Sequence, residues 1–457
     1  MTNHFLQISI KKDSSLSGYT IALSPSLLHY WRINQKKPIY IRIGISKLPV
    51  LIQELPLEKQ DISFSEDLFA AFKIPKQNIS FLAQFSKHTQ TISLGPIIAI
   101  LTEIKDNNGS PNFRSIHQLC EELTEEISLI GGLLYVCGFQ DFSTDSINGY
   151  FYHQDKWEKV ELPYPNVIYN RIHSRKLDSS KHFQELKKVL KEKEIPLFNS
   201  QFFSKYETHL LLEKNTLLHK HTPETELLSN ETTLRMLAKY PSIYIKPVHG
   251  SQGRHIHHIR KIDNTYNAIS SSGKQKGKNY YFLSIEKLLK WIQRFTKNKT
   301  YLIQQGIAFQ PFQQRSLDFR VLCHKNFYNQ WKVTSVVARA AQKDSFVSNL
   351  AQGAEILQAK VVLNELFGKE KSQQLLAELK NLALDVATVI TENTDGYLGE
   401  MGIDIGIDTT GELWIIEANS KPSKNLDDQS AKIRPSTKAL LEYFIRLSFP
   451  HKDKGDN

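Results

Sequence analysis

Apolar and polar residues alternate in short runs through the first 93 residues of this 457-residue chain. Residues 4–10, 18–24, 38–46 and 90–94 place an apolar side chain at every second position and are separated by turn residues. This is the pattern of strands with one buried face. No internal repeat is apparent, and the pattern predicts a β-rich N-terminal module over residues 1–93.

The pattern changes at Leu94, where continuous apolar runs replace the alternation. Such runs are typical of strands that are buried on both faces, and here they alternate with stretches of helical period. The runs are residues 95–104, 131–139, 166–172 and 195–200. They predict a small parallel α/β domain over residues 94–200.

From residue 201 the predicted elements are longer, and strands and helices are grouped rather than strictly alternating. Strands are predicted at residues 242–250, 300–307, 318–324, 331–340, 401–407 and 412–420, and helices at 206–218, 284–295, around 375–390 and after Pro435. The pattern predicts an α+β region over residues 201–450 with a lid-like lobe at about 205–305. The last residues, 451–457, are polar and are predicted to be a disordered tail.

Composition and charge exclude several classes of protein. Three cysteines, far apart and odd in number, exclude a disulfide framework and a cysteine-based zinc site. No apolar run reaches the roughly 18–20 residues of a membrane span, and the first residues do not form a secretory signal. We therefore expect a cytoplasmic protein. The net charge is +11, but no basic run of five or more occurs, which argues against a nucleic-acid partner.

Asp404, Glu417 and Asn419 form the most informative group of polar residues. If residues 408–411 form a turn, Asp404 lies opposite Ile415 and diagonal to Glu417, at roughly 7–8 Å between backbone positions. Two carboxylates and an amide oxygen suit Mg²⁺, which prefers oxygen ligands. The glycines beside Asp404, at 402 and 406, are expected to leave room for a bulky ligand. The alternative is a pair of solvated acids on a sheet surface.

Four weaker signals accompany these acids. Lys246 ends a strand and precedes a loop with Gly250 and Gly253, which suits phosphate binding, although a plain strand end is an alternative. Gln304 and Gln305 end another strand, where the backbone could pair with a flat heterocycle. The third signal is the pair of arginines in a predicted hairpin, Arg320 and Arg339, which suit phosphate or carboxylate recognition; the alternative is that they lie on the surface. The fourth is the group of histidines 255, 257 and 258, which we interpret as part of a polar strand.

The order of these motifs resembles that of ATP-grasp enzymes. Longer sequence segments, including residues 95–103, 331–339 and 402–422, are similar to the YheC/YheD family of endospore-coat-associated ATP-grasp proteins. The motifs in order are Lys205, Lys246 with its glycine loop, Gln304–Gln305, Asp318–Arg320, Arg339 to Asn349, Asp404 and Glu417 with Asn419. The resemblance covers nearly everything from Leu94 to the last helix.

The resemblance implies an ATP-grasp fold of two α+β lobes, preceded by the α/β domain and the β-rich module. It also implies that ATP and Mg²⁺, as two ions, are cofactors. By resemblance, Lys205, Lys246, Gly250 and Gly253 contact phosphates; Gln304, Gln305 and Ile307 line the adenine pocket; Arg339 faces the transferring phosphate, with Arg320 and Asn349 nearby; and Asp404, Glu417 and Asn419 hold Mg²⁺. Lys246 and Arg339 are the expected catalytic residues.

The activity implied by the resemblance is an ATP-dependent ligase. Such enzymes activate a carboxylate as an acyl phosphate, which an amine then attacks. The acceptor pair is unknown, and spore-coat proteins are implied as partners, with an association with the endospore coat. The alternative is a coat-associated scaffold that binds nucleotide without turnover. Gln304 departs from the acid common at this position, so the ribose contact is not assigned.

Overall fold

The computed structural model describes residues 5–75, 78–107, 109–143, 146–250, 253–271, 277–297, 299–343, 345–346, 348, 353–423 and 433–449. The predicted tail, residues 451–457, lies outside them. None of the helices in these ranges is both long enough and apolar enough to cross a membrane.

The N-terminal strands close into a barrel in the order β1-β5-β2-β4-β3-β7-β6. The strands are β1 (Leu6–Lys12), β2 (Thr20–Leu23), β3 (Ile39–Ile43), β4 (Ser46–Glu54), β5 (Asp61–Phe64), β6 (Ile79–Ser86) and β7 (Thr91–Gly95), with helices α1 (Pro25–Trp31) and α2 (Glu66–Phe72). β1 closes the ring by pairing parallel to β5 and antiparallel to β6. Alternating side chains fill the interior, so the period-two pattern is explained by barrel closure.

The barrel contains an internal repeat, which corrects the expectation that there is none. Residues 21–33 and 62–74 each form a strand, a serine N-cap, a two-turn helix and a left-handed C-cap. Ser24 and Ser65 each accept a hydrogen bond at 3.2 Å from the backbone N–H three residues on. The two halves share few identical residues, because capping and burial rather than identity define the repeat.

The α/β domain is a six-stranded sheet in the order β13-β12-β11-β8-β14-β15. Its elements, with a small hairpin β9–β10 outside the sheet, are β8 (Ile97–Leu101), β9 (Lys105–Asn107), β10 (Ser110–Asn112), β11 (Leu133–Cys137), β12 (Ile147–His153), β13 (Lys156–Leu162), β14 (Val167–Asn170), β15 (Leu197–Phe198), α3 (His117–Ile130), α4 (Arg175–Asp178) and α5 (Lys181–Glu192). The four predicted strands are parallel. The antiparallel hairpin β12–β13 adds two strands at one side of the sheet, with β13 at the edge, that the sequence pattern did not predict.

A second sheet of six antiparallel strands forms the lid-like lobe, in the order β16-β21-β17-β18-β19-β20. Its elements, preceded by helix α6, are α6 (Lys205–Lys214), β16 (Thr225–Leu227), α7 (Asn230–Lys239), β17 (Ser242–Pro247), β18 (His257–Ile262), β19 (Thr265–Ser270), β20 (Asn279–Phe282), α8 (Ile285–Thr296) and β21 (Tyr301–Gln305). Apolar residues of α7 and α8, including Met236 and Trp291, pack on one face. Helix α6 is shorter than predicted and ends at Lys214.

The last sheet has five antiparallel strands in the order β24-β23-β22-β25-β26. Its elements are β22 (Leu317–Lys325), β23 (Trp331–Ala340), β24 (Glu355–Gln358), α9 (Ala359–Phe367), α10 (Lys369–Glu392), β25 (Glu400–Ile407), β26 (Leu413–Asn419) and α11 (Pro435–Ser448). Helices α9 and α10 cover one face, and the other face carries the polar residues of the candidate site.

The terminal helix α11 packs against the α/β domain as well as against strands β22 and β23 of the last lobe. Leu440, Leu441 and Phe444 share a core with Ile98 and with apolar residues of α3. The opposite face of the α/β sheet shares a continuous core with the barrel. The parallel sheet is therefore covered on both faces, which explains its continuous apolar runs.

Candidate active site

A cleft lies between the lid-like lobe and the five-stranded sheet. Its empty volume is about 530 Å³, a figure that includes open solvent at its mouth. Its lining residues come from α6, β16, β17, β21, β26 and the segment before β16: Lys205, Thr208, His209, Leu212, Thr222, Pro223, Thr225, Lys246, Leu302, Gln304, Ile415, Ile416, Glu417 and Ala418. Cations, an acid and an amide thus share one cleft with apolar walls.

Lys246 lies on β17, where the strand pairs with β21 opposite Leu302. Its side chain is half-buried. Loss of solvent, followed by the nearby charge of Lys205, lowers the pKa of Lys246 to about 8, against the attraction of Glu417 and Asp404. The ammonium group therefore lies among charges of both signs.

Lys205 is the first residue of α6, which begins after the N-cap Ser204. Its Nζ lies 2.5 Å from Oε2 of Glu417 on β26. This ion pair joins the helix to the last strand of the five-stranded sheet, across one side of the cleft.

Asp404 and Glu417 are direct cross-strand partners on β25 and β26. The predicted register, with Asp404 opposite Ile415, was wrong. Ile405 pairs with Ile415, and the pairing shifts between Asp404 and Ile405, so Ile416 is the extra residue of a β-bulge. A shift of one residue turns side chains to the other face, and the bulge lets Ile415 enter the core while Glu417 stays beside Asp404.

Two arginines hold Asp404. Arg320 contacts both carboxylate oxygens, with Nη2 at 2.9 Å from Oδ2, and Arg339 Nη2 lies 3.1 Å from the same oxygen. Burial alone would raise the pKa of Asp404, but the two guanidinium groups outweigh burial and hold that pKa below its ordinary value. Asp404 is therefore a buried, charged carboxylate.

Arg339 was expected to face the transferring phosphate. In the structure its side chain is buried. Its Nε and Nη2 donate to Asp318 at 2.6 and 2.7 Å. Burial alone would lower the pKa of Arg339, but Asp318 and Asp404 raise it. Ser348 also donates to Asp318. Arg339 thus acts on the two acids around it, while the expected neighbour Asn349 lies outside the described residues.

The glycines beside Asp404 make room for protein rather than for a ligand, which corrects that expectation. A Cβ on Gly402 would lie 2.8 Å from Pro422 Cβ and 3.2 Å from Arg320 Cδ. A Cβ on Gly406 would lie 2.2 Å from the ring of Phe309. Gly402 therefore permits the contact between Arg320 and Asp404.

The predicted hinge residues are only partly brought to the cleft. Gln304 lines it and donates to Thr225 Oγ1 at 2.8 Å. Gln305 accepts from the backbone N–H of Glu224 at 3.2 Å. Among the described residues, the wall of the cleft does not include Gln305 or Ile307.

The glycines of the predicted phosphate loop lie outside the wall of the cleft, whereas Asn419 lies near the paired acids. Gly250 and Gly253 are outside the cleft wall formed by described residues, and Gly253 accepts from Ser271 Oγ at 2.7 Å through its carbonyl. Asn419 pairs with Gly402, two positions beyond Glu417, so it follows the acids along the same edge.

The histidines of β18 are packed among aromatic rings, which fits their interpretation as a structural strand. His257 stacks on Phe295 with ring centroids 3.8 Å apart, and His258 stacks on Tyr244 at 4.4 Å. Within the described parts of the chain, no group of three His, Cys, Asp or Glu could hold a metal ion.

A buried polar network beneath the site was not predicted. Glu400 accepts from Tyr169 at 2.6 Å and from Arg171 at 3.2 Å, and its other oxygen lies 3.2 Å from His324 Nε2. This network links the α/β domain to the strand that carries Asp404. No local sequence signal distinguishes such residues, because Tyr169 and Arg171 lie more than 200 positions from Glu400 in the sequence.

The chain is similar in sequence to two relatives from Bacillus subtilis, and it also matches a solved structure. The chain is 29% identical over 373 residues to endospore coat-associated protein YheD of Bacillus subtilis (strain 168), covering 80% of this chain and 81% of that protein. It is 24% identical over 290 residues to endospore coat-associated protein YheC of the same strain, covering 62% and 79%. Among solved structures, VanG D-Ala:D-Ser ligase from Enterococcus faecalis matches with a TM-score of 0.48 and 10% identity, covering 78% of this chain and 100% of that chain.

The family assignment comes from a match to residues 194–447, which are more than half of the chain. The match begins near the end of the α/β domain and includes the cleft, both lysines, the paired acids and all but the last residue of α11. It confirms the family resemblance and the ATP-grasp fold predicted from the order of the motifs. The chain belongs to the YheC/D like ATP-grasp family.

Proposed function

We propose that the chain binds Mg·ATP in the cleft and acts as an ATP-dependent ligase that joins a carboxylate to an amine. The observation that carries the proposal is the meeting of Lys205, Lys246, Gln304 and Glu417, from four separate elements, in one cleft. Two cations suit a polyphosphate, and an amide beside apolar walls suits a base.

The nucleotide would lie with its phosphates toward the two lysines. Lys246 is the last residue but one of β17, before the loop that contains Gly250 and Gly253, and loop N–H groups there would cover the phosphates. Gln304 and its neighbours Gln305 and Ile307 would line the adenine pocket.

The acids fit a magnesium site. Asp404 and Glu417 are cross-strand partners and Asn419 follows, so oxygen donors lie along one edge. Among the described residues no third His, Cys, Asp or Glu joins these two acids in a group that could hold a metal, so phosphate oxygens would contribute to the coordination of Mg²⁺. We propose two ions, held by Asp404, Glu417 and Asn419. Bound Mg²⁺ supplies neutralisation of the charge that develops on the phosphates.

Arg320 and Arg339 would serve this site through Asp404. Their contacts fix the carboxylate and keep it charged, so they are positioning residues in this conformation. Lys246 is the side chain proposed to contact the transferring phosphate.

The proposed reaction has two steps. An acceptor carboxylate oxygen attacks the γ-phosphorus of ATP and ADP leaves, which forms an acyl phosphate. An amine nitrogen then attacks the acyl carbon; the C–O bond to phosphate breaks, phosphate leaves with the electron pair, and the nitrogen loses its proton to solvent. Catalysis would rest on positioning and charge neutralisation rather than on a protein nucleophile.

The test is release of ADP and phosphate with Mg·ATP and panels of carboxylates and amines. The proposal expects one pair to raise ADP release far above that of the protein alone and to yield an amide, detected by mass spectrometry. Tight Mg·ATP binding with no consumption across the panel would contradict the ligase and favour a nucleotide-binding scaffold. That alternative is supported by the names of the two relatives, both called endospore coat-associated.

We further propose that coat proteins are partners and that the protein associates with the endospore coat. These proposals rest on the names of the relatives. Fractionation of spores with an antibody to this chain tests them, and a chain found only outside the coat fraction would contradict them.

A further inference from the structure

The parallel sheet of the α/β domain has a topological switch point at its carboxyl edge. β8 lies between β11 and β14, and the chain leaves β8 for one side and later enters β14 on the other. Open α/β sheets bind ligands outside this edge, at the switch point. Here Glu103 follows β8 and accepts the backbone N–H groups of His173 and Ser174, at 2.7 and 3.2 Å, from the segment after β14.

The switch point faces the segment that follows Asn419. Arg171 Nη2 donates to the Pro422 carbonyl at 3.0 Å, and Ser420 Oγ donates to the Gln201 carbonyl at 2.7 Å. The chain segments that follow β14 and β15 are therefore in contact with the segment that follows the proposed magnesium ligand Asn419.

Arg175 is half-buried at this edge and has hydrogen-bonding capacity left. Its Nη1 donates to the Phe203 carbonyl at 3.0 Å, while its Nε is buried without a hydrogen-bond partner among the described residues. Burial lowers the pKa of Arg175, and the carboxylates of Glu417 and Asp178 oppose that shift. The guanidinium thus lies within the electrostatic field of Glu417.

A second cation lies next to Arg175. The Phe202 ring centroid is 4.7 Å from Arg175 Cζ and 4.2 Å from Lys421 Nζ. Lys421 also lies 2.8 Å from Asp178, so a carboxylate of the chain already satisfies part of its charge. Arg175 remains as the cation best able to take an added anion.

We propose, on the basis of the proposed ligase function, that Arg175 binds a carboxylate of the acceptor substrate at this edge, with Phe202 and Lys421 beside it. A guanidinium recognises a carboxylate through two parallel N–H donors. Arg175 is not part of the cleft wall that contains Lys205 and Lys246, so this carboxylate would lie beside the nucleotide and not in its place. The acceptor class is a small carboxylic acid, such as an amino acid or a peptide with a free carboxyl terminus.

The experiment compares the wild type with Arg175→Gln, Arg175→Lys and a control, Lys176→Gln, which removes a charge from the adjacent exposed residue. Calorimetry measures binding of Mg·AMPPNP and, with and without it, of acetate, glycine, L-alanine and L-alanyl-L-alanine. We expect at least one carboxylate to bind the wild type and the control equally, and at least tenfold more weakly to Arg175→Gln. AMPPNP affinity stays within about threefold in all variants.

Other outcomes separate this inference from the proposed function. Equal carboxylate binding by wild type and Arg175→Gln, or none by the wild type, would overturn the inference. A tenfold loss of AMPPNP affinity in Arg175→Gln would overturn it too, because Arg175 would then contact phosphate. Carboxylate binding that depends on Arg175 in a protein that never binds AMPPNP would support the anion site and contradict the proposed function. Arg175→Lys, which loses the paired donors, carries the comparison if Arg175→Gln does not fold.

Discussion

Asp404 and Glu417 lie directly opposite each other on neighbouring strands, yet their surroundings differ sharply. Asp404 is buried and held by two arginines, whereas Glu417 is partly exposed at the cleft and pairs with Lys205. The same change, from acid to amide, therefore tests two different properties at the two positions.

Glu417→Gln tests catalysis. The amide keeps the shape and one oxygen but removes the charge, so we expect a folded protein that binds ATP within about tenfold. ATP consumption should fall about a hundredfold or more, because transition-state charge loses a strong electrostatic contact. Glu412→Gln, an exposed change on the same hairpin, is the control. Unchanged turnover in Glu417→Gln would remove the catalytic role of this acid.

Asp404→Asn tests the packing of the site. Removing one partner leaves the buried Arg320 and Arg339 without their shared counter-charge, which costs about 3–5 kcal/mol. The half-buried pair of Glu417 and Lys205 keeps contact with solvent and is worth less, on the order of 1 kcal/mol. Urea unfolding should therefore separate the two variants clearly. Similar unfolding midpoints would show that the arginines do not depend on Asp404.

Nucleotide affinity should depend on pH through Lys246. Because its pKa is about 8, the ammonium group loses its proton as the pH rises from 7 to 9. The affinity for ATP should therefore fall by up to about tenfold over this range. Lys246→Arg stays charged over this range and should bind ATP with little pH dependence. Lys246→Ala should bind weakly at every pH. Calorimetry with ATP measures all three, and a wild type as insensitive to pH as Lys246→Arg would contradict the assignment.

Magnesium should control the stabilisation by ATP. Mg·ATP should raise the melting temperature, because a ligand bound only by the folded state stabilises it. ATP with EDTA should do so much less, since its phosphates would meet Asp404 and Glu417 without a cation between them. Differential scanning fluorimetry makes the comparison, and equal shifts with and without Mg²⁺ would contradict the metal site.

Acid should destabilise the lid-like lobe through His257. Burial, followed by the charge of His255, lowers the pKa of His257 to about 4, below the ordinary value of about 6.5. The unfolded chain therefore takes up the proton first. Stability is full above about pH 6.5 and is lost as the pH falls toward 4, by up to about 3 kcal/mol.

His257→Phe should remove much of this acid sensitivity. The ring would keep the stacking on Phe295, and the buried Nδ1, which has no hydrogen-bond partner among the described residues, is no longer present. Hydrogen exchange of β18 at pH 7.5 and 5.0 measures the effect, with the exposed His88→Phe as control. Equal acid sensitivity in the wild type and His257→Phe would contradict the prediction.

Period and motif order predicted most strands of the two ATP-grasp sheets, because each strand has one apolar face. The register of β25 and β26 could not be read in the same way. The bulge at Ile416 satisfies two demands, a core position for Ile415 and a cleft position for Glu417, that come from other elements. The burial of Arg339 is likewise decided by Asp318 and Asp404, since an arginine on a hairpin is usually exposed.

The topology of the barrel fixes the order in which its strands can pair while the chain is being synthesised. Its first strand has no partner among its immediate neighbours and must wait for β5 and β6, which end at Phe64 and Ser86. The ring therefore cannot close until both have left the ribosome. An extension that traps the first strand would leave two strand edges open, and open edges invite association with other chains. A purification handle is for this reason better placed after α11 than before β1.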